Sequence, residues 1–428
     1  MSNFLDSITI DLYLSDNTIM HLTSLNYLCD LQLSKSLDSS LTSLIGKVST
    51  NTLLLGLNNL SSTFSTTSPL YSKIVKGAKL VLKDGAVVKG TFYITDYDAP
   101  EDEPKATIKA VDRMYYILNQ TVEELEIERE KDVKDFIKEL LVSQGISEEK
   151  VSVDETITGT LNYGIATGQK VSEVLNDFCL ATDTYIYMDA AENVVVKSRK
   201  ITGEVEQTLT HDADLYELTT VKSFKQSYNT LILGYGRTSI SAVSELLKLN
   251  EEIVNGQETL ILNNNAVKKA IYDIDHIKIP EDFDLVDINC SQKVVNISVQ
   301  NTTLMELPCE IVVYGRNLEI VESFVEKQDE GIADRNELKL QSKLIQDKAT
   351  ADSIATTLYD RMSLEIPNMK VGIMPDDFTI ELCKIIRVLT DKIDFTGYVH
   401  SFDYTISEGD VDLKIGLKAI EDEEEEVE

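Results

Sequence analysis

Hydrophobic and polar residues alternate along the first part of the chain. Every second residue is apolar over positions 8–14, a period that gives a β-strand one buried and one wet face. Similar apolar runs follow at 79–82, 91–95 and 106–111. Turn signals separate them, at Asp84-Gly85 and in the acidic stretch 96–104. The pattern predicts a β-rich N-terminal region, in which residues 34–68, rich in Ser, Thr, Asn and Leu, remain unassigned.

Beyond residue 119 the apolar positions take up helical spacing. One helix is predicted with Asp132 as its N-cap and Gly145 at its end. Its apolar face consists of Val133, Phe136, Ile137, Leu140 and Leu141. A second helix has Val171, Val174, Leu175 and Phe178 on one side. Two short β runs, 184–188 and 194–197, follow as a predicted hairpin, so residues 119–205 read as a small α+β module.

From residue 206 the sequence returns to strand patterns. Predicted strands cover 230–235, 259–262, 294–299 and 309–314. One further helix is predicted from the spacing of Ala351, Ile354, Ala355, Leu358 and Met362. A final β set covers 385–389, 397–405 and 411–417. Within this region, the sequence does not indicate how residues 241–340 are arranged.

Two sets of three residues share one spacing, in which a glycine is followed six and seven positions later by Asp-Tyr. The sets are Gly90, Asp96 and Tyr97, and Gly397, Asp403 and Tyr404. An apolar strand with a turn precedes each set and an alternating strand follows it. Two interpretations stand: two unrelated antiparallel meanders, or one barrel-like unit that occurs twice with the α+β module inserted between the copies. On the second interpretation the six residues form equivalent turns.

Charge and length exclude several classes of protein. The 428 residues carry a formal net charge of −33, from 40 Lys+Arg against 73 Asp+Glu, whereas a nucleic-acid binder needs a basic surface. The length predicts two to four domains. No apolar run reaches the ~18 residues of a membrane span, and the start lacks a signal-peptide pattern, so we predict no membrane anchor and a cytoplasmic origin. Seven of the residues 421–428 are acidic, which predicts a disordered tail.

No catalytic, metal or cofactor site stands out in the sequence. The five cysteines and four histidines are far apart, without metal-ligand spacing. His211-Asp212-Ala213-Asp214 is the best metal candidate, but a polar turn explains it as well. Gly234-Tyr235-Gly236-Arg237 resembles a phosphate-binding turn but lacks the third glycine, so a tight strand turn is favoured. Cys383 and His400 form the one candidate catalytic pair, and an apolar strand around Cys383 argues against it.

The repeat and its neighbours resemble the baseplate hub or tail hub family of bacteriophage tails and related contractile injection machines. The resemblance is carried by Gly90-Thr-Phe-Tyr-Ile-Thr-Asp-Tyr97, Ala106-Thr-Ile-Lys-Ala-Val-Asp-Arg113, Gln169-Lys-Val-Ser-Glu-Val-Leu-Asn176 and the hairpin to Ser198. The closing segment, Gly397-Tyr-Val-His-Ser-Phe-Asp-Tyr-Thr-Ile-Ser-Glu-Gly409, adds to it. It follows the order of elements over most of the chain, with no single diagnostic motif.

The resemblance implies a mostly β, α+β fold with two tube-like β-barrel domains and an inserted small α+β module. The expected boundaries are 1–118 for the N-terminal barrel, 119–205 for the module, 206–420 for the second barrel with insertions and one helix, and 421–428 for the disordered tail. It also implies a structural, non-enzymatic homotrimer in the virion tail, assembled in the host cytoplasm. The implied partners are the tail tube or distal tail protein ring, the central spike or tip and, as a further candidate, a tape measure protein.

Physical reasoning fits that role and leaves alternatives open. Three chains with two similar barrels each present six similar edges, so a trimer can mate with a hexameric tube. An acidic conduit would let DNA slide during genome ejection, although the charge could equally serve solubility. A tail-associated cell-wall hydrolase or carbohydrate-binding tail protein is the alternative function. A third, the spike-bearing homologue of a secretion machine, would carry a fused spike, and the sequence shows no β-helix repeat.

Overall fold

A computed structural model gives the fold of the chain. It describes residues 7–38, 43–101, 103–122, 130–162, 168–210, 214–222, 228–290, 293–328, 335–363, 367–374, 380–407 and 410–420. Strands account for 54% and helices for 14% of the structure, which confirms the predicted mostly β, α+β class. The predicted acidic tail at 421–428 and the metal candidate His211 lie outside the described residues.

Seven strands of the N-terminal region form one half of the largest sheet. They are β1 (Ile8–Tyr13), β2 (Ile19–Thr23), β3 (Leu28–Ser36), β4 (Thr52–Asn58), β5 (Lys79–Asp84), β6 (Val87–Asp98) and β7 (Lys105–Val111). Their order across the sheet is β2-β1-β5-β6-β7-β4-β3, and all the pairs are antiparallel. β4 lies in the stretch that the sequence left unassigned. A short 3₁₀ turn covers Tyr71–Lys73.

A module of three helices and five short strands follows. It comprises α1 (Arg113–Leu118), β8 (Lys131–Asp132), α2 (Val133–Ser143), β9 (Val151–Val153), β10 (Thr160–Leu161), α3 (Val171–Thr182), β11 (Thr184–Met188) and β12 (Val194–Ser198), with a 3₁₀ turn at Glu148–Lys150. The sequence correctly predicted α2. Its N-cap Asp132 accepts a hydrogen bond from the Lys134 amide at 2.7 Å, and Gly145 takes a left-handed φ of +82° just past its end.

The rest of the chain supplies fourteen strands and one helix. They are β13 (Gln207–Thr210), β14 (Leu215–Lys222), β15 (Thr230–Ile240), β16 (Ser244–Val254), β17 (Thr259–Ala266), β18 (Ile271–Lys278), β19 (Phe283–Cys290), β20 (Val294–Asn301), β21 (Leu307–Gln328), β22 (Glu337–Ser342), α4 (Lys348–Ser363), β23 (Pro367–Ile373), β24 (Ile385–Leu389), β25 (Asp394–Ser407) and β26 (Asp410–Ala419). Six of these strands continue the largest sheet in the order β13-β24-β25-β26-β23-β14.

The two halves of this 13-stranded sheet are joined by β3 and β25, which pair antiparallel from Leu31–Ile406 to Ser36–Ser401. In the described residues its pairing runs from β2 to β14 without returning on itself. The expectation of two separate closed barrels is therefore corrected to one open sheet with two halves. The physical reason is that β3, the edge strand of the N-terminal half, pairs with β25 of the C-terminal half instead of closing on a strand of its own half.

Strand β11 is buried on both faces and lies between two cores. Tyr185 and Tyr187 point into the core of the large sheet, while Ile186 and Met188 point into the core of the α+β module. Such two-sided burial makes the run continuously apolar instead of alternating. The module is thus packed onto the sheet through a strand that both cores share.

Residues 241–340, which the sequence could not place, form a further β region. Strand β21 runs for 22 residues and pairs with β16 and β18 through its first half and with β15 through its second half. A separate sheet has the order β17-β20-β19. These strands enclose a core of their own, which includes Val295, Ile297 and Val313. The long β21 therefore connects this region to β15, next to helix α4.

Asp112 is buried at the start of α1, where its carboxylate accepts a hydrogen bond from the Asn51 amide at 2.8 Å. Burial raises the pKa of this carboxyl group to about 7. The folded protein therefore keeps a proton at pH values where the unfolded chain has released it. Consequently, the contribution of Asp112 to stability falls as the pH rises from about 4 to about 7.

We predict that Asp112→Asn, which keeps an acceptor oxygen but cannot ionise, gains stability relative to the wild type as the pH rises. The gain at pH 8 relative to pH 4 is up to about 4 kcal/mol, because each unit of pKa shift corresponds to ~1.4 kcal/mol. Urea unfolding of both proteins at pH 4 and pH 8 measures it. A stability difference that is the same at both pH values would contradict the raised pKa.

Candidate functional site

The first set of repeat residues lies within strand β6. Gly90 is opposite Leu82 of β5, and a Cβ atom added to it would lie 2.5 Å from the ring of Phe92. Asp96 is opposite Lys109 of β7, with 3.4 Å between the carboxylate and the ammonium group. Tyr97 is half-buried. Its ring packs on Tyr71, with the centroids 5.4 Å apart, and its hydroxyl donates to the carbonyl of Phe64.

The second set lies within strand β25. Gly397 is opposite Ile386 of β24, and a Cβ atom there would lie 2.6 Å from the carbonyl oxygen of Lys418. Asp403 is opposite Lys414 of β26, as Asp96 is opposite Lys109. Tyr404 is fully buried in the core of the large sheet.

These six residues were expected to form turns, but each set of three lies in the middle strand of a meander. Each middle strand contains one bulge between its glycine and its aspartate, at Thr95 in β6 and at His400 in β25. The bulges let the strands continue past the positions where the sequence indicated turns. Because each strand has one extra residue there, the spacing from glycine to Asp-Tyr is the same in both.

The two halves of the sheet share more than these residues. In the N-terminal half the spatial order is β1-β5-β6-β7-β4-β3, and in the C-terminal half it is β13-β24-β25-β26-β23-β14. Corresponding strands also follow one another in the same order along the chain in both halves. All corresponding neighbours are antiparallel except that β13 pairs parallel with β24, where β1 pairs antiparallel with β5. Sequence reasoning included only three strands of each half in the repeat, because β4, β3 and their counterparts carry no shared motif.

Hydrogen bonds cross the junction between the halves at both of its ends. On β3, the ammonium group of Lys35 donates to the carbonyl of Lys89 on β6 of the same half at 2.8 Å, and burial lowers the pKa of Lys35 to about 8. Next to it, the amide of Leu37 donates to the carbonyl of His400 at 2.9 Å. At the other end of the junction, the Ser407 hydroxyl donates to Asp30 at 3.0 Å. The halves therefore form one continuous structure.

Three charged residues hold the sheet, the module and helix α4 together. Asp183, which ends α3 in a left-handed conformation, accepts two hydrogen bonds from Arg361 of α4, at 2.7 and 2.6 Å. Burial would raise the pKa of Asp183, but the bonds from Arg361 outweigh it and keep the pKa below its usual value. The buried Arg199 donates to the carbonyls of Ser43 and Leu44 and lies over the ring of Tyr185.

This centre was not visible in the sequence. Asp183 and Arg361 are 178 positions apart, and neither belongs to a motif. The single local signal is the position of Asp183 between a predicted helix and a predicted strand. The centre binds the parts of the fold to one another, so its role is structural.

In the structure, the two residues of the candidate catalytic pair, Cys383 and His400, each contact other side chains. Burial raises the pKa of the Cys383 thiol to about 11, and the residue interacts with the hydroxyl of Tyr187. The ring of His400 is buried, 3.2 Å from the carboxylate of Asp38, and packs edge-on against Tyr185. A thiol with a raised pKa carries little thiolate, the form that acts as a nucleophile.

The other candidate motifs also lie in structural positions. Gly234 to Arg237 lie inside strand β15, paired with β21 and in part with β22, so the predicted tight turn is corrected to a strand interior. Within the described ranges, no three His, Cys, Asp or Glu side chains are grouped as a metal site would require. In the same ranges, no helix is long and apolar enough to cross a bilayer.

Comparison with known proteins gives similar folds but no similar sequences. No family model and no curated protein sequence matches the chain. The tail protein from Neisseria meningitidis MC58 aligns with a TM-score of 0.58 at 8% sequence identity, over 96% of this chain and 96% of that one. The 43 kDa tail protein of prophage MuSo2 from Shewanella oneidensis aligns with a TM-score of 0.56 at 11% identity, over 96% and 98%.

These alignments cover nearly the whole of each chain, so they include both halves of the large sheet and the regions between them. The chain has the fold of tail proteins of known structure. At the level of the fold, this confirms the resemblance to phage tail proteins that the sequence motifs indicated.

The buried pair Asp183–Arg361 has an exposed counterpart that serves as a control. Arg387 also donates two hydrogen bonds to one carboxylate, that of Asp394, at 2.7 and 2.6 Å. The exposed side-chain fraction is 5% for Arg361 but 42% for Arg387. The two pairs therefore have the same geometry and differ in exposure to solvent.

We predict that Arg361→Met lowers the free energy of unfolding by about 2–3 kcal/mol, somewhat less than the ~3–5 kcal/mol of a fully buried pair, because Asp183 keeps partial access to water. Arg387→Met should leave the free energy of unfolding nearly unchanged, as expected for an exposed pair. Denaturant unfolding measures both. Equal losses in the two variants would show that Arg361 does not hold the module and α4 together.

Proposed function

We propose that this chain is a structural hub protein of a tail or baseplate, located in the virion tail. Three copies form a ring that adapts the hexameric tail tube, or a distal tail protein ring, to the central spike or tip. Its action consists of assembly and conduit formation, without catalysis. We assign residues 1–118 and 206–420 to the two tube-forming units, 119–205 to the inserted module and 421–428 to an acidic tail. Assembly takes place in the host cytoplasm.

The observation that carries this proposal is the repeated strand order of the large sheet. Six strands of each half follow the same spatial order, with the Gly-x5-Asp-Tyr set on the middle strand of each meander. A chain with two similar units contributes two similar edges, so three chains contribute six. A three-fold ring of this kind can therefore contact a six-fold tube with equivalent surfaces.

The charge of the chain supports a role as a conduit. A net charge of −33 creates a field that repels the phosphates of DNA, so DNA that passes through the ring would meet few binding sites. The non-enzymatic role is supported by the buried environment of Cys383 and His400, since the thiol has a raised pKa and the histidine ring lies beside Asp38. We propose the tail tube, the spike or tip and the tape measure protein as partners.

Light scattering coupled to size-exclusion chromatography tests the proposal. We expect a molar mass of three chains, each of 47.9 kDa, at high protein concentration. Release of soluble muropeptides from peptidoglycan by the purified protein would instead favour a cell-wall hydrolase. A mass of one chain at every concentration would contradict the trimeric hub.

A further inference from the structure

Among the edges of the large sheet that have no partner strand in the described part of the chain, two belong to β14 and β6. Strand β14 ends the sheet and pairs only with β23. Strand β6 pairs with β5 as far as Tyr93, and the backbone of Ile94 bonds to Gly77 and Ala78. Beyond Ile94, the side of β6 that faces β5 is without a paired strand, while β7 occupies its other side as far as Asp98. An unpaired edge is a template for a strand from another chain.

The strands that correspond to β14 and β6 in the other half of the sheet are paired with each other inside the chain. In the strand order, β14 corresponds to β3, and β6 corresponds to β25. The internal contact is between β3 and the second half of β25, on the side where β24 pairs with the first half. β3 of the first unit thus adds to β25 of the second. The corresponding contact, between β14 of the second unit and β6 of a first unit, is not made within the described part of the chain.

The register expected between β14 and β6 follows from the strands that lie between the middle strand and the outermost strand of each half. These are β7 and β4 in the N-terminal half, and β26 and β23 in the C-terminal half. Lys109 and Lys414 are equivalent, because they lie opposite Asp96 and Asp403. The residues after them, Ala110 and Ile415, are therefore also equivalent, and they lie opposite Leu53 of β4 and Val371 of β23.

The outermost strands complete the correspondence. Leu33 lies opposite Leu53, and Leu218 lies opposite Val371, so Leu33 and Leu218 are equivalent. Their neighbours Ser34 and Thr219 are equivalent in turn. Because Ser34 lies opposite Asp403 in the internal contact, Thr219 should lie opposite Asp96 in the corresponding one.

We propose that β14 of one copy pairs antiparallel with β6 of the next copy, with Thr219 opposite Asp96 and Leu218 opposite Tyr97. This inference rests on the proposed ring and gives its subunit contact. The contact is heterologous, since it joins two different edges, and such contacts close into rings when the rotation permits. The large sheet then continues from one chain to the next around the ring.

The side chains of the two edges are compatible with this contact. Thr219 and Asp96 are exposed, and Leu218 and Tyr97 are half-buried, so each edge has a polar and an apolar position to match the other. Acidic residues on the two edges already have cations nearby. Lys414 lies 3.5 Å from Glu217, and Lys109 lies 3.4 Å from Asp96. These lysines reduce the repulsion that facing carboxylates would cause.

Disulfide trapping tests the register. We take a background in which the exposed Cys29 and Cys290 are replaced by serine, and add Thr219→Cys and Asp96→Cys. Opposite residues of an antiparallel pair have Cα atoms ~4.5–5.5 Å apart, within the range of a disulfide. In a glutathione redox buffer we expect bands of two and three chains on a non-reducing gel, which dithiothreitol returns to one chain.

Two control variants accompany the test. In the first control, Ser34→Cys with Asp403→Cys, the two cysteines lie opposite each other inside one chain. This variant should form an intramolecular disulfide and remain at the mass of one chain. Thr219→Cys with Asp284→Cys places one cysteine on the distant, exposed β19 surface, and should give no ladder. A ladder of equal strength in this second control would show random collision and overturn the proposal.

The result is distinguishable from a failure of the hub itself. If light scattering gives three chains but the Thr219–Asp96 pair is not trapped, the subunit contact is wrong and the trimer stands; the β14 edge would then be open to another tail protein. If the protein has the mass of one chain at every concentration and no band appears, both proposals are overturned. Trapping of the Thr219–Asp96 pair alone, limited to three chains, supports both.

Discussion

The pairing of β3 with β25 is the contact on which the rest of the structure depends. It brings together strands from opposite ends of the sequence. The seven-stranded N-terminal half and the six-stranded C-terminal half thereby form one sheet. Hydrogen bonds cross the contact at both ends, from the amide of Leu37 to the carbonyl of His400 and from the hydroxyl of Ser407 to Asp30. Once it forms, the two similar units are joined, and β14 and the end of β6 have no partner strand in the described part of the chain. On the function proposed above, a repeated unit joined in this manner lets three chains form a ring with six similar units.

The inserted module is packed onto the large sheet through shared core residues and buried charges. Strand β11 belongs to the core of the sheet through Tyr185 and to the core of the module through Ile186. At the end of the same hairpin, Arg199 binds the carbonyls of Ser43 and Leu44, and Asp183 binds Arg361 of α4. These contacts link segments far apart in sequence, and a buried charge loses its compensation if one of them breaks. These contacts therefore hold the module, the large sheet and α4 together as one structure.

The sequence predicted those parts of the fold that local interactions determine. Helix α2 was predicted with its cap and its end, because the N-cap, the apolar face and the left-handed glycine are all local signals. The repeat was found through a spacing within two strands, yet its residues lie within strands where turns were expected, because a bulge keeps each strand paired. Barrel closure was predicted wrongly, and Gly234 was placed in a turn although it lies inside a strand. Within 241–340 the strands at 259–262, 294–299 and 309–314 were predicted correctly, but their arrangement was not. Helix caps and hydrophobic periodicity depend on nearby residues, whereas a strand pairs with residues far away in the sequence. Alternation alone therefore does not identify the partner of a strand.

On the proposed function, each chain carries two equivalent sheet-forming units that stand around a common axis. Cryo-electron microscopy of the purified assembly, reconstructed with three-fold symmetry only, can resolve these units. We expect a ring of six similar β units in which the N-terminal and C-terminal halves of the sheet alternate and superpose on one another after rotation by a sixth of a turn. A ring in which one half lies outside the wall, or halves that do not superpose, would contradict it.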